Sequence, residues 1–224
     1  RALLHDKMTI AQAITQVARR HARDEALVWR DEHITYAELL HQIDALARGC
    51  QALGLRKGDK VALLLPNCPE FVYAFFGITK LGGVIVPLNP MYRRRELEQI
   101  LNDAEAVMVI AAPEVRGYRL GEVLDGLRPA LPLVRHYVFV ADQAPPWGMR
   151  YADLIRPSRE PFVPPVPVTP NDMFGLIYTS GTTGAPKGAI HTHSTMLAPI
   201  LAGEELRRSM FHFSLGFVRR LVRI

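Results

Sequence analysis

Apolar positions along this chain recur with two periods, helical and strand-like, and the two alternate. Thr9-Ile-Ala-Gln12 and Thr35-Tyr-Ala-Glu38 read as capping boxes, each followed by apolar residues at helical spacing. After the second, Leu39, Leu40, Ile43, Leu46, Ala47, Cys50 and Leu53 form one stripe, closed by Gly54. Between these helices, Ala26 to Trp29 and His33 to Thr35 predict a short hairpin around Asp31-Glu32. Val61 to Leu65 is a buried-strand run stopped by Pro66. The pattern then predicts a helix from about Pro69 to Leu81, a strand Val84–Val86 and a helix from about Arg94 to Asn102. A strand Val107–Ile110, a helix Val115–Leu127 and a strand His136–Val140 complete the series.

Strands this apolar, separated by helices, predict an α/β fold with a mostly parallel sheet flanked by helices. Eight of the seventeen prolines fall between Pro145 and Pro170, and the stretch after Pro161 has little periodicity. It reads as a linker or an extended crossing. The expected division is therefore a first α/β subdomain at 1–155, a proline-rich linker at 156–171 and the start of a second subdomain at 172–224. The first unit, up to about Ile155, is expected to be the more stable.

Composition changes this picture little. At 224 residues and 49% hydrophobic, the chain can bury a substantial core. The net charge of +5 comes from Arg207, Arg208, Arg219, Arg220 and Arg223, in a tail without acids; elsewhere bases and acids balance. The basic pI is thus a property of the atypical tail 207–224 and gives no support to nucleic-acid binding. The longest apolar stretch, Phe71 to Leu88, is broken by Lys80 and Gly82-Gly83, so no integral membrane segment is expected. Cys50 and Cys68 form no CxxC pair, and with no signal peptide a reducing cytosol is the simplest compartment. The chain opens on Arg1 rather than methionine, as a piece of something longer would.

The run Tyr178-Thr-Ser-Gly-Thr-Thr-Gly-Ala-Pro-Lys-Gly188 carries the chemistry. A strand, Met173 to Tyr178, leads into three glycines, four Ser/Thr hydroxyls and one lysine. Such a loop can turn many donors toward one anion: glycines allow close backbone approach, hydroxyls donate, and Lys187 adds a charge. Pro186 stiffens the exit. The P-loop of nucleoside triphosphatases fails on spacing, because Lys187 follows Pro186 and strand-like Ala189-Ile190-His191 comes next. An ordinary Gly/Thr-rich surface turn is the plain alternative, and eleven patterned positions argue against it.

That run, continued by Ala-Ile-His-Thr-His193, resembles the signature of the adenylate-forming (AMP-binding) superfamily. Leu53 to Ala62, Leu65-Pro66-Asn67 and Leu81 to Pro90 with Arg95-Glu96-Leu97 are similar to ordered upstream blocks of its acyl-CoA synthetase, or fatty acid–CoA ligase, branch. The resemblance implies the first subdomain and the beginning of a second of the large N-terminal domain of such enzymes. It implies ATP-dependent activation of a carboxylic acid, a fatty acid on the similarity around Pro87 to Leu97, to an acyl-adenylate. Transfer to coenzyme A follows. The residues it assigns to the phosphates of ATP are Thr179, Ser180, Gly181, Thr182, Thr183, Gly184, Lys187 and Gly188.

The Tyr-Gly-x-Thr-Glu and Thr-Gly-Asp blocks of the family are missing from the sequence, so the Mg2+ ligand is expected outside this chain and no catalytic residue is identified in it. The chain is expected to make no acyl-adenylate alone. Two rivals stand beside the ligase fragment: a catalytically silent truncated product that binds at most a nucleotide or a partner, and part of an adenylation domain serving a carrier protein. After His193 the sequence departs from the family: Phe211-His-Phe-Ser-Leu-Gly216 arrives early, as after a deletion or a frame change, and a membrane-surface helix is a third reading of the tail. His191 and His193 form an H-x-H pair with no third metal ligand. Arg93-Arg94-Arg95 reads as a solvated helix start.

Overall fold

The computed structural model describes residues 8–179 and 186–200. A seven-stranded sheet runs through the molecule in the order β7-β6-β5-β3-β4-β8-β9. Its strands are β3 (Lys60–Leu64), β4 (Val84–Pro87), β5 (Ala106–Ala111), β6 (His136–Phe139), β7 (Met149–Arg150), β8 (Met173–Thr179) and β9 (Lys187–Thr192). All neighbouring pairs are parallel except β8 with β9. A separate antiparallel hairpin, β1 (Glu25–Trp29) and β2 (Glu32–Thr35), covers one corner.

Burial on both faces explains why the central strands read as unbroken apolar runs. Val61 and Leu63 enter one core cluster with Leu46, Cys50, Ala74 and Ile78, from α2 (Tyr36–Ala52) and α3 (Pro69–Leu81). Ala62 and Leu64 point the other way, into a cluster with Leu97, Ile100, Leu120 and Leu124. Those side chains come from α4 (Arg94–Asp103) and α5 (Leu120–Leu127). The α/β fold class expected from the pattern is therefore the one observed. Among the described residues no helix is long and apolar enough to cross a membrane.

Both capping boxes form. Thr9 caps α1 (Ile10–Arg20) against Gln12, and Thr35 caps α2 against Glu38. The Thr35 backbone N–H and hydroxyl on the Glu38 carboxylate hold that carboxyl below its ordinary value.

Two expectations need correction. The helix predicted at Val115–Leu127 begins only at Leu120. Arg116 and Gly117 take φ of 49° and 78°, and Val115 and Tyr118 exchange backbone hydrogen bonds of 3.0 and 2.9 Å. This closes a tight turn where helix was predicted. The strand β7 and the one-turn helix α6 (Tyr151–Leu154) were not foreseen, being too short to show a period.

The proline-rich stretch, expected as a linker or an extended crossing, is held as a strap along its backbone. Arg48 donates to the carbonyls of Arg156 and Glu160, Lys57 Nζ to the Pro167 carbonyl at 2.9 Å, and Phe162 N–H to Asp44 at 3.0 Å. Asp44 also takes the Lys80 ammonium at 2.5 Å, a pair only about a tenth exposed. Beyond the strap the sheet continues, since β8 lies beside β4. The residues expected to open a second subdomain lie, as far as Thr192, in the same sheet as the first.

Candidate functional site

The hairpin β8–β9 presents the phosphate-loop sequence at the carboxyl edge of the sheet. Because β8 runs parallel to β4, its last residue Thr179 leaves on the edge where β3, β4, β5 and β6 also end. Open α/β sheets characteristically bind ligands there. Thr179 and Lys187 are register partners and close the mouth of the hairpin. Ser180, Gly181, Thr182, Thr183 and Gly184, also expected to bind phosphate, lie outside the described residues.

Pairs opposite one another in an antiparallel ladder share a face. Tyr178 with Gly188, and Leu176 with Ile190, therefore lie on one side; Thr179 with Lys187, and Ile177 with Ala189, lie on the other. Thr179 and Lys187 are exposed, so a hydroxyl and an ammonium stand side by side in solvent at the loop mouth. Gly188 has a packing reason besides the expected phosphate approach. A Cβ there would lie 2.9 Å from Leu176 Cδ1 and 3.1 Å from Tyr178 Cζ. The Tyr178 ring occupies that space, and its hydroxyl donates to Asp103 at 2.5 Å. Asp103 belongs to no motif and stands 75 positions away, so nothing in the sequence pointed to it.

The two histidines of the H-x-H pair do not share a strand face as ligands would. His191 pairs with Gly175 one residue before the ladder ends at Thr192, while His193 starts the helical residues 193–200. Both rings pack on Phe174, at 6.4 and 5.7 Å between centroids. His193 is fully buried, and its Nδ1 accepts the Ile10 N–H at 3.3 Å, capping the first turn of α1. Burial pushes its pKa down to about 4, with Asp172 opposing and Lys57 assisting. Among the described residues no group of three or more His, Cys, Asp or Glu is placed to hold a metal ion.

Other candidates resolve into packing. Burial raises the Cys50 and Cys68 thiols to about 12, so both are protonated hydrophobes rather than nucleophiles. Arg93, Arg94 and Arg95 are exposed, as a solvated helix start would be; Arg93 lies over the Tyr118 ring at 4.7 Å, and Arg94 donates to the Gly126 carbonyl at 2.7 Å. Burial works against the charged Asp172 carboxyl, but Lys57 at 2.6 Å and the Thr169 N–H outweigh it and hold the carboxyl below its usual range.

Comparisons with known proteins agree with this geometry. The sequence profile of the family described as AMP-binding enzyme matches residues 14–217. Crotonobetaine/carnitine–CoA ligase of Salmonella arizonae is 34% identical over 174 residues, 72% of this chain and 31% of that one. Long-chain-fatty-acid–CoA ligase of Salmonella typhimurium is 33% identical over 211 residues, 85% of this chain and 37% of that one. Acetoacetyl-CoA synthetase from Streptomyces lividans superposes with a TM-score of 0.80 at 26% identity, over 91% of this chain and 33% of that one. The chain thus spans about a third of the length of these relatives. With the signature hairpin at the carboxyl edge of a matching sheet, and a profile match over most of its length, the chain belongs to the AMP-binding enzyme family.

Proposed function

We propose that this chain supplies the phosphate-gripping part of an ATP-dependent acid–CoA ligase. The observation that carries the reading is the pairing of Thr179 with Lys187 at the mouth of the signature hairpin. In acid activation a carboxylate attacks the α-phosphate of ATP and pyrophosphate departs, gaining charge on its oxygens. Donors and a cation fixed near those oxygens stabilise the change. Thr179 provides a hydroxyl and Lys187 a point charge on one face, and Ser180 to Gly184 bring further hydroxyls and backbone N–H groups in sequence. Transfer of the acyl group to coenzyme A completes the reaction. A fatty acid is the proposed substrate, supported by the similarity to a long-chain ligase over 85% of this chain. Magnesium bound with ATP would neutralise phosphate charge.

The rival reading, a catalytically silent fragment, is favoured by the missing Glu and Asp blocks and by the third of its relatives that the chain spans. Both readings meet one experiment on the 224-residue chain. ATP–pyrophosphate exchange is expected to stay at the level of a Lys187→Ala control. Titration with ATP or inorganic pyrophosphate is expected to shift the backbone NMR signals of Thr179, Lys187 and Gly188, and Lys187→Ala to remove the shifts. Exchange above the control would overturn the silence of the isolated chain. Shifts absent from the hairpin would overturn the phosphate reading.

A further inference from the structure

The distal half of the β8–β9 hairpin runs past its one register pair with the sheet, with Tyr178 packed in the second core cluster and Leu176 against it. β8 meets β4 at a single register pair, Ile85 with Gly175. Its pairing with β9 runs on to Thr179 and Lys187. Residues 176–179 therefore extend beyond the parallel ladder, carrying the loop mouth with them. A side-chain hydrogen bond also ties this distal part to the body of the protein. Tyr178 Oη–H donates to Asp103 Oδ2 at 2.5 Å, a length typical of a charge-assisted O–H···O⁻ bond.

Both ends of that bond are placed at some expense. Asp103 is the last residue of α4, where a carboxylate faces the negative end of the helix dipole, and no basic residue stands in that turn. Tyr178 is buried, and burial together with the Asp103 carboxylate pushes its hydroxyl up, so it remains a donor at any ordinary pH. A Cβ at position 188 would lie 3.1 Å from its ring, so the missing side chain eases the passage of the ring across the partner strand. Thr179, the first hydroxyl of the loop, is the next residue along the chain.

We propose that Asp103 is a positioning residue for the phosphate-binding loop: through the Tyr178 hydroxyl it fixes the mouth of the hairpin, so that Thr179 and Lys187 stand ready for a polyphosphate before one arrives. The inference rests on the phosphate reading of the hairpin. Without the bond the mouth samples other orientations, and apparent affinity falls by the fraction of time it is correctly placed.

Two measurements on the 224-residue chain test this, with inorganic pyrophosphate as the probe. In Asp103→Ala and in Tyr178→Phe, which keeps the ring, pyrophosphate is expected to bind roughly 10-fold more weakly, as for a mouth in place about a tenth of the time. The double variant should bind no more weakly than either single one, since both remove the same bond. Asp103→Asn, whose amide oxygen still accepts, should recover most of the loss. Without ligand, hydrogen exchange at Thr179 and Lys187 should quicken in both single variants while β3 and β5 are unchanged. Unchanged exchange, or lower stability with wild-type affinity, overturns the positioning role. Failure of the unsubstituted chain to bind pyrophosphate overturns the phosphate reading itself, and with it the purpose assigned to Asp103.

Discussion

The strand β3 and the hairpin β8–β9 draw on similar apolar residues, yet they stand on different support. β3 has parallel neighbours on both sides, pairing with β4 over Lys60–Leu63 and with β5 over Lys60–Leu64, and Val61 to Leu64 are wholly buried. β8 meets the sheet at one register pair, and β9 is an edge strand with no buried residue, its Ile190 64% exposed. The difference teaches where this fold keeps its stability and where it can yield. Binding loops are drawn from the less protected end of a structure because they must rearrange around a ligand. Here the proposed anion-binding sequence sits on a hairpin that meets the sheet at one register pair, and a tyrosine–aspartate bond adds to its packing against the second core cluster.

The largest expected effect comes from breaking the strong side. Leu63→Ala should lower the unfolding free energy by about 2–5 kcal/mol in urea titration, because a fully buried side chain leaves a cavity. Hydrogen exchange should rank the two regions the same way, with β3 and β5 amides protected at least roughly 100-fold more than those beyond Gly175 in β8. Equal protection would erase the contrast.

A smaller effect sharpens the contrast at the joint between the regions, where His193 holds the start of α1. Its pKa is about 4 in the folded protein against an ordinary 6.5, so the unfolded chain takes the proton first as pH falls. The stability at stake is complete above about pH 6.5 and is lost progressively toward pH 4, amounting to roughly 3 kcal/mol at most. His193→Gln, which cannot titrate, should lose correspondingly less stability between pH 7 and pH 4.5. An identical pH dependence in the variant would show that this histidine does not titrate as its burial requires.

The smallest effect belongs to the exposed edge. Ile190→Ser should change the urea midpoint by no more than about 0.5 kcal/mol of stability, as exposed sites away from specific contacts do. A loss comparable to Leu63→Ala would mean that β9 is covered in solution.

Much of this was legible beforehand, for identifiable reasons. The helix starts at Thr9 and Thr35 were readable because a capping box is a contact between residues three apart. The strand at Val61 was readable because burial on both faces leaves no polar position. The helix predicted at Val115 failed because two consecutive positive-φ residues, Arg116 and Gly117, form a turn that hydrophobic spacing does not record. The segment 156–171 was read from its prolines as a linker or an extended crossing; that Arg48, Asp44 and Lys57 bind it through its backbone could not be read, because backbone contacts leave no mark on composition. In the candidate site, Thr179, Lys187 and Gly188 were found by motif, whereas Asp103 was not.

What the sequence determined by itself is what neighbours along the chain can decide: element types, capped helix starts, and the eleven-residue run that names the family. Which strand lies beside which, and which side chain meets the loop mouth, was decided only in three dimensions. Gly188 shows the boundary between the two. Its motif position marked it as phosphate-binding, but only the fold shows that a Cβ there would press on Leu176 at 2.9 Å and on the Tyr178 ring at 3.1 Å. The physical reason is that a contact between residues 75 positions apart depends on packing that no local pattern encodes.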